Sequence, residues 1–223
     1  MITHEVTQAM VPMEDGRQFP VRRIFCIGKN YADHVVEMGD DPRKVPPVFF
    51  TKPADAACTD QIIPFPPATE NLHYEGELVV ALGAGGTDLS ERDARAAIFG
   101  YACGCDLTRR DLQAAAKDAG APWDLAKALD NGAMLGLIRP HTGLLREGSL
   151  TLSVNGTERQ SANLNAMIWS VPEIIAKLSG FFALKPGDLI FTGTPSGVGP
   201  LQRGDYVAVE IADLPPLRFS LAP

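Results

Sequence analysis

Three carboxylates are the residues in this sequence whose types and spacing best fit a chemical task. Glu75 and Glu77 stand two apart, directly before the apolar run 78–82, and Asp106 ends a second apolar segment. Side chains two apart on a strand point to the same face, so these two glutamates would repel each other. A divalent cation relieves that repulsion, and ligation by carboxylates alone favours Mg²⁺ or Mn²⁺ over zinc. A solvated edge strand with two surface glutamates is the alternative.

Asp106 is predicted to be the last residue of a strand over 98–106, just before a helix over 109–119. A carboxylate in that position often does no more than cap the helix that follows. Thr108 can serve as the cap instead. In that arrangement Asp106 is free to act as the third metal ligand.

His34 and Glu37 are the candidates for acid–base chemistry. Residues 29–39 are predicted to form a short helix that ends at a glycine. His34 and Glu37 stand three apart in it and therefore share one helical face. A carboxylate beside an imidazole orients it and raises its basicity, as a general base requires. Because a polar, proline-bounded loop follows, residues 29–47 are interpreted as a lid. A solvated surface pair is the alternative for His34 and Glu37, and a plain surface excursion for the loop.

Arg109 and Arg110 fall in the first turn of the predicted helix over 109–119. Cations there oppose the helix dipole unless an anion lies nearby. The two arginines could bind an anionic ligand, including a second carboxylate of a substrate. Pairing with Asp111 is the other interpretation.

Lys127 and the glycine-rich loop over 193–199 are further candidates for anion contacts. Lys127 lies among small and apolar residues, and a partly buried lysine needs an anion. A metal-bound carboxylate substrate, Asp124 or Asp130 would each serve. In the loop, successive backbone N–H groups can form an anion-binding nest, and a plain glycine loop is the alternative.

The elements that must position these residues are mostly short strands. The runs 21–28, 48–52, 78–82 and 189–192 each have the pattern of a buried strand. Asn155-Gly156 is typical of the type I′ turn of a β-hairpin. Ser170 and Glu173 predict a capping box at the start of a helix, and Lys52 is expected to be structural.

Composition and charge exclude several classes of protein. A chain of 223 residues with 45% hydrophobic residues can form a single domain over 1–223, and a net charge of -7 argues against nucleic acid or an anionic membrane as partner. The sequence starts with no signal-peptide pattern and contains no apolar run long enough to span a bilayer, which predicts a cytoplasmic protein. The cysteines lack zinc spacing and are expected to be buried, reduced thiols: Cys26, Cys58, Cys103 and Cys105.

Taken together, these segments resemble the fumarylacetoacetate hydrolase family, and most of all its acylpyruvate hydrolases, which include the bacterial fumarylpyruvate hydrolases. The resemblance extends over roughly residues 24–209. It rests on motifs in the family's order: Gly28-Lys29-Asn30-Tyr31 with His34 and Glu37, Phe50-Thr51-Lys52-Pro53, His73-Tyr74-Glu75-Gly76-Glu77, Asp106-Leu107-Thr108-Arg109-Arg110-Asp111, Pro122-Trp123-Asp124-Leu125-Ala126-Lys127, and Gly193-Thr194-Pro195-Ser196-Gly197-Val198-Gly199. Residues 130–134 depart from the turn that many relatives have, which bears on the shape of one pocket wall.

The resemblance implies a mostly β (α+β) fold, a mixed β-roll with short flanking helices and a mobile lid helix, assembled as a homodimer. It implies Mg²⁺ or Mn²⁺ on three acidic ligands: Glu75, Glu77 and Asp106. It assigns the catalytic roles to three residues. His34 and Glu37 activate water, and Lys127 contacts the substrate's oxygens. It assigns further substrate contacts to Arg110, Gln113 and Thr194.

The implied activity is hydrolysis of a carbon–carbon bond in a 2,4-dioxo acid, with release of pyruvate. Decarboxylation of oxaloacetate or isomerisation of a 2-oxo acid on the same metal site is the alternative enzyme activity. A metal-binding scaffold without catalysis is an alternative of a different class.

Overall fold

Strands dominate the computed structural model of the chain, which describes residues 7–31, 46–141 and 143–223. In chain order the strands are β1 (Met10–Pro12), β2 (Gln18–Pro20), β3 (Arg23–Gly28), β4 (Val48–Lys52), β5 (Ala57–Cys58), β6 (Ile62–Ile63), β7 (Leu72–Tyr74), β8 (Gly76–Leu82), β9 (Ile98–Asp106), β10 (Thr108–Arg109), β11 (Ala133–Leu135), β12 (Arg139–Pro140), β13 (Ser149–Val154), β14 (Thr157–Asn163), β15 (Asp188–Phe191), β16 (Gly199–Pro200), β17 (Tyr206–Ile211) and β18 (Leu217–Leu221). The α-helices are α1 (Glu91–Ala97), α2 (Arg110–Asp118), α3 (Asp124–Lys127) and α4 (Val171–Ser179).

The largest sheet has the strand order β4-β3-β15-β8-β9-β11-β5, with β12 also paired to β9. Strand β15 runs parallel to β3 and antiparallel to β8. Apolar side chains of β8 enter two different core clusters, Leu78 and Val80 on one face and Val79 and Ala81 on the other. Because both faces are covered, the sequence of β8 is continuously apolar rather than alternating.

A second sheet, ordered β14-β13-β17-β18-β6, closes over one face of the first. Its Leu150 and Leu152 share a core cluster with Leu78 and Val80. Strands β13 and β14 form the predicted hairpin, and Asn155 (φ 52°) and Gly156 (φ 76°) adopt the positive φ angles of a type I′ turn. With parallel and antiparallel pairs curled around a shared core, the mostly β mixed roll is confirmed.

Two smaller sheets among the described residues complete the fold, and one of them borders the large sheet near the candidate site. Strands β10, β7 and β16 form a three-stranded sheet in which Thr108 is opposite His73. Strands β1 and β2 form a separate two-stranded sheet. The chain therefore reaches Glu75 at the junction where β7 of one sheet passes into β8 of another.

Helices α2 and α4 follow the sequence prediction, whereas the helix predicted from residue 29 does not start there. Helix α2 lies within the predicted 109–119, and at the start of α4 Glu173 accepts a hydrogen bond of 2.8 Å from the backbone N–H of Ser170, as the capping box requires. The predicted helix over 29–39 is wrong at its start. Lys29 has a φ of 60°, and Tyr31 forms a β-bridge with Met167. The rest of that prediction, with His34 and Glu37, lies outside the described residues.

All four cysteines are buried and free of disulfides, as predicted. In the part of the chain that the structure describes, no helix has both the length and the apolar character needed to cross a membrane.

Candidate active site

The three predicted carboxylates meet at one place. Glu75 lies between β7 and β8, Glu77 is the second residue of β8, and Asp106 ends β9. The backbone N–H of Asp106 donates to the carbonyl of Glu75 at 2.8 Å, so strand pairing fixes the two residues side by side. One oxygen from each of the three carboxylates lies within 4.8 Å of the others, and all three residues are buried.

Lys127 and Arg110 neutralise two of these carboxylates. The Lys127 ammonium donates to Glu75 Oε2 and to Asp106 Oδ2, each at 2.7 Å, and to Thr108 Oγ1 at 2.6 Å. Arg110 donates to Glu75 Oε1 through Nη2. Lys127 therefore pairs with neither Asp124 nor Asp130, the alternative partners that the sequence offered.

Two further sequence predictions at the start of α2 are corrected. Asp111 accepts from Thr69 Oγ1 at 2.7 Å rather than pairing with Arg110. Thr108 lies in β10 and does not cap the helix, whose first flanking residue, Arg109, makes no side-chain cap either. Both corrections have one cause, namely that contacts across the fold outcompete local ones.

Lys52 is a third cation at the site, and like Lys127 it is buried. Its ammonium lies 2.8 Å from Asp106 Oδ1, donates to the carbonyl of Leu107 at 3.1 Å, and also donates to the carbonyl of Lys127. The sequence placed Lys52 at the end of an apolar strand but gave no partner for it. A lysine that ends a buried strand needs a counter-charge. That requirement is the sequence signal that could have placed Lys52 beside one of the carboxylates.

Glu75 and Glu77 have opposite electrostatic environments. Burial opposes the ionisation of Glu75, but Lys127 and Arg110 outweigh it and lower its pKa to about 2. Burial raises the pKa of Glu77 well above its ordinary value, and the charges of Asp106 and Glu75 raise it further. Glu77 Oε2 accepts from the backbone N–H of Gly193 at 2.7 Å, yet no lysine or arginine of the described ranges forms an ion pair with Glu77.

These residues fit a hard divalent cation. The donor set is made of carboxylate oxygens alone, which suits Mg²⁺ or Mn²⁺. Glu77 lacks a basic partner, as described above. Asp106 Oδ1 is buried and accepts no hydrogen bond of normal geometry in the described part of the chain, although the Lys52 ammonium is close. Mg²⁺ or Mn²⁺ is the cofactor that this acidic cluster suits.

Hydrogen bonds connect the loop over 193–199 to the acidic cluster. Gly193 directs its N–H to Glu77, so this part of the loop holds a candidate metal ligand rather than a free anion. The Thr194 hydroxyl donates to the carbonyl of Gly76 at 2.8 Å and accepts from Gln160 Nε2 at 2.8 Å. Gln160 Oε1 in turn accepts from the N–H of Gly76 at 2.9 Å. Gln160, which the sequence did not single out, fastens the loop to the strand that carries Glu77.

A second chain of hydrogen bonds orients Arg110. Its Nε donates to His73 Nδ1 at 3.3 Å, and His73 Nε2 bonds Asn71 Oδ1 at 2.9 Å. Burial and the Arg110 charge lower the pKa of His73, which keeps the ring neutral so that Nδ1 can accept. Gln113 Oε1 accepts from Arg110 Nη1 at 2.5 Å. His73 and Gln113 thus hold Arg110 in place against Glu75.

A cavity of about 140 Å³ opens onto the acidic cluster. Six of the predicted site residues line it: Glu75, Glu77, Arg110, Gln113, Lys127 and Thr194. Four other residues of its wall were given no role from the sequence, although all but Lys117 stand in the family motifs: Lys29, Phe50, Lys117 and Trp123. Arg110, Gln113 and Lys117 stand at helical spacing on one face of α2, so periodicity could have found Lys117. A larger groove of about 450 Å³ lies between α1 and α4, but its described residues hold no metal-ligating cluster.

Residues 23–222 match the family model described as "Fumarylacetoacetate (FAA) hydrolase C-terminal", and the chain belongs to the fumarylacetoacetate hydrolase family. This confirms the resemblance seen in the sequence. Among its relatives is a fumarylpyruvate hydrolase of a Ralstonia species, 44% identical over 78% of this chain and 92% of that protein. An oxaloacetate tautomerase of Escherichia coli (strain K12) is 44% identical over 86% of this chain and 89% of that protein.

A solved structure agrees with the fold of the whole chain. It is the fumarylpyruvate hydrolase of Pseudomonas aeruginosa in complex with Mn²⁺ and pyruvate, which is 40% identical and superposes with a TM-score of 0.93. The match covers 100% of this chain and 99% of that one.

Proposed function

We propose that this protein is a metal-dependent hydrolase that cleaves a carbon–carbon bond in acylpyruvates, with fumarylpyruvate as the leading substrate, and releases pyruvate. The observation that carries the proposal is the buried trio of Glu75, Glu77 and Asp106 at the end of a cavity lined with cations. The relatives named above support it, because a fumarylpyruvate hydrolase of the same fold binds Mn²⁺ and pyruvate. In this proposal the three carboxylates hold the metal.

Lys127 acts as a hydrogen-bond donor and not as a base. Burial lowers its pKa, but Asp106 and Glu75 outweigh that effect and raise the pKa above the ordinary value, so the side chain stays charged. When bound, Mg²⁺ or Mn²⁺ supplies Lewis-acid stabilisation of negative charge on the 2-oxo oxygen. Lys127 adds a fixed positive charge at the same end of the cavity, and Arg110 and Gln113 position the pyruvoyl half beside it.

Water activation falls to His34 with Glu37, a role that rests on their sequence spacing and on the family resemblance. His34 takes a proton from water, and the resulting hydroxide adds to the 4-oxo carbonyl carbon. The bond between C3 and C4 then breaks, its electron pair stays with the pyruvate half, and a proton returns to C3. The products are pyruvate and the carboxylic acid of the acyl group.

The decisive experiment is a panel of 2-oxo and 2,4-dioxo acids assayed for pyruvate with Mn²⁺, with Mg²⁺ and with EDTA. Metal-dependent release of pyruvate from acylpyruvates is expected. His34→Ala should lose at least about 100-fold in kcat while it retains Mn²⁺, because general-base catalysis typically contributes 10²–10⁴. Turnover in that variant equal to wild type would refute the base assignment, and absence of acylpyruvate cleavage in the wild type would refute the hydrolase.

Oxaloacetate is the second candidate substrate, because a relative of equal identity is an oxaloacetate tautomerase. Tautomerisation moves a proton without adding water, and decarboxylation likewise needs no hydroxide. Enol and keto forms of oxaloacetate, and its decarboxylation, should therefore be followed in the same panel. Turnover of any of these substrates would exclude the scaffold without catalysis.

We further propose that residues 1–223 form one catalytic domain with a lid over approximately 29–47, and that two copies assemble as a homodimer. Exposed aromatic side chains support the assembly. Phe181 is 75% exposed, and its ring lies 6.5 Å from that of Phe49. Phe182 beside it is 38% exposed, and contiguous apolar surface can mark a site of association.

A further inference from the structure

Two lysines at the cavity have no acidic partner. Lys29 and Lys117 line the same cavity as Glu75 and Glu77. In the described ranges, no carboxylate lies within salt-bridge distance of either ammonium, in contrast to Lys127, which is paired twice. Lys29 is held by a backbone with a φ of 60°, a conformation that non-glycine residues rarely adopt and that is often kept at functional sites.

The two lysines belong to one positive region. Lys117 is brought close to Arg110 and Lys29, and burial together with these charges lowers its pKa. Among the described residues, five cations lie on or directly behind the cavity wall, against three carboxylates: Lys29, Lys52, Arg110, Lys117 and Lys127. This excess occurs in a chain whose net charge is -7. A bound divalent ion would add to this excess of positive charge, and a single substrate carboxylate would not neutralise it.

Of the two arginines proposed from the sequence for a second carboxylate, Arg110 is already paired with Glu75, and it also donates to His73 and Gln113. Arg109 donates through Nη1 to the carbonyl of Leu125 at 3.0 Å and is not among the described residues of the cavity wall. Among the described cations of that wall, Lys29 and Lys117 are therefore the two without a carboxylate partner.

An aromatic wall connects the metal end of the cavity to these lysines. The Lys127 ammonium lies 4.9 Å from the centre of the Phe50 ring, and the Lys117 ammonium lies 5.2 Å from the centre of the Trp123 ring. The two rings contact each other at 5.9 Å between centroids. A flat, conjugated acyl arm can lie along this wall, with its pyruvoyl end near Lys127 and its far end near Lys117.

We propose that Lys29 and Lys117 form a subsite for the terminal carboxylate of the acyl arm, and that Phe50 and Trp123 contact the arm itself. The inference rests on the proposed function and narrows its substrate class to acylpyruvates whose acyl group is derived from a dicarboxylic acid. The pyruvoyl half remains with the metal, Lys127 and Arg110.

The test compares fumarylpyruvate with acetylpyruvate, which lacks the terminal carboxylate, on the Mn²⁺-loaded protein. In Lys117→Met and Lys29→Met, kcat/KM for fumarylpyruvate should fall about tenfold, mainly through KM, as loss of a charged hydrogen bond implies. For acetylpyruvate it should change less than about twofold, which also shows that the fold is intact. Lys117→Arg should retain the preference, and Lys185→Met, outside the cavity wall, is the control. Equal losses on both substrates, or none, would overturn the subsite.

A binding measurement separates this inference from the proposed reaction. Calorimetry on the Mn²⁺-loaded protein would compare 2-oxoadipate with 2-oxohexanoate, which differ in the terminal carboxylate. Tighter binding of 2-oxoadipate that disappears in the Lys29→Met, Lys117→Met double variant supports the subsite even if no acylpyruvate is cleaved. Equal binding of the two acids by the wild type would reject it, whether or not acylpyruvates are hydrolysed.

Discussion

At the scale of residues, the site separates two glutamates that the sequence presents as equivalent. Glu75 and Glu77 have the same type and neighbouring positions. Yet Glu75 is paired with Lys127 and Arg110, while the described part of the chain gives Glu77 only the N–H of Gly193. Spacing predicted that the two would share a site with Asp106. It could not predict the difference, because the cations come from distant segments of the chain.

Glutamine substitutions should reveal this difference in the metal-free protein. Glu75→Gln leaves Lys127 and Arg110 short of a counter-charge and should lower the free energy of unfolding by about 3 kcal/mol. Glu77→Gln removes a carboxylate that is costly to ionise, and should raise the melting temperature by about 2–4 °C, as ~1 kcal/mol does in a chain of this size. Thermal unfolding in EDTA measures both effects, and Mn²⁺ should stabilise neither variant as it does the wild type. A lower melting temperature for Glu77→Gln in EDTA would contradict the assignment.

Acid titration provides a second test of Glu75. Its pKa in the folded protein, about 2, lies below the ordinary 4.5, so ionised Glu75 stabilises the fold above about pH 4.5. That stabilisation is lost as the pH falls from about 4.5 towards 2. The difference in free energy of unfolding between wild type and Glu75→Gln should therefore shrink over this range, measured by urea unfolding of the metal-free proteins. A difference independent of pH would exclude the pairing as its cause.

At the scale of elements, the sequence predicted the features that depend on interactions between residues close in the chain. The buried run of β8, the turn at Asn155-Gly156 and the capping box at Ser170 each depend on residues close in sequence, and each is confirmed. Contacts between distant segments were beyond such patterns. Lys52 and Gln160 are examples, because each ties together segments that meet only in the folded chain.

The loop after β15 should control metal binding through Gly193. This residue has a φ of 93°, and a Cβ placed on it would lie 2.8 Å from Asn30 Cβ. Gly193→Ala should displace the N–H that Glu77 accepts and weaken Mn²⁺ binding about tenfold, or ~1.4 kcal/mol. Gly204→Ala is the matched control, because Gly204 has a φ of 81° with open space around it. Unchanged Mn²⁺ affinity in Gly193→Ala, measured by calorimetry, would show that the loop plays no part in the site.

At the scale of the whole molecule, two sheets enclose a shared core and leave the acidic cluster at a strand end. The family resemblance implied the mostly β class, and the strand-like runs separated by turns agree with it, but the order of strands in each sheet was not predicted. Strand β15 illustrates the limit, since it inserts between β3 and β8 although more than a hundred residues separate it from either. Such pairing is decided by the packing of the complete core.

The proposed homodimer makes a prediction at the same scale. Light scattering coupled to size-exclusion chromatography should give about twice the chain mass of 23.9 kDa. Phe181→Ser, which removes the exposed ring next to Phe49, should leave the fold intact by circular dichroism. A mass of one chain at micromolar concentration for the wild type would refute the dimer.

The basic residues beside the acidic cluster have a consequence for how the protein matures. Lys52, Arg110 and Lys127 compensate Glu75 and Asp106, so chain collapse and strand pairing need not await an ion. Loading with the ion can then follow folding, and a folded metal-free form would stand ready for activation when the ion arrives.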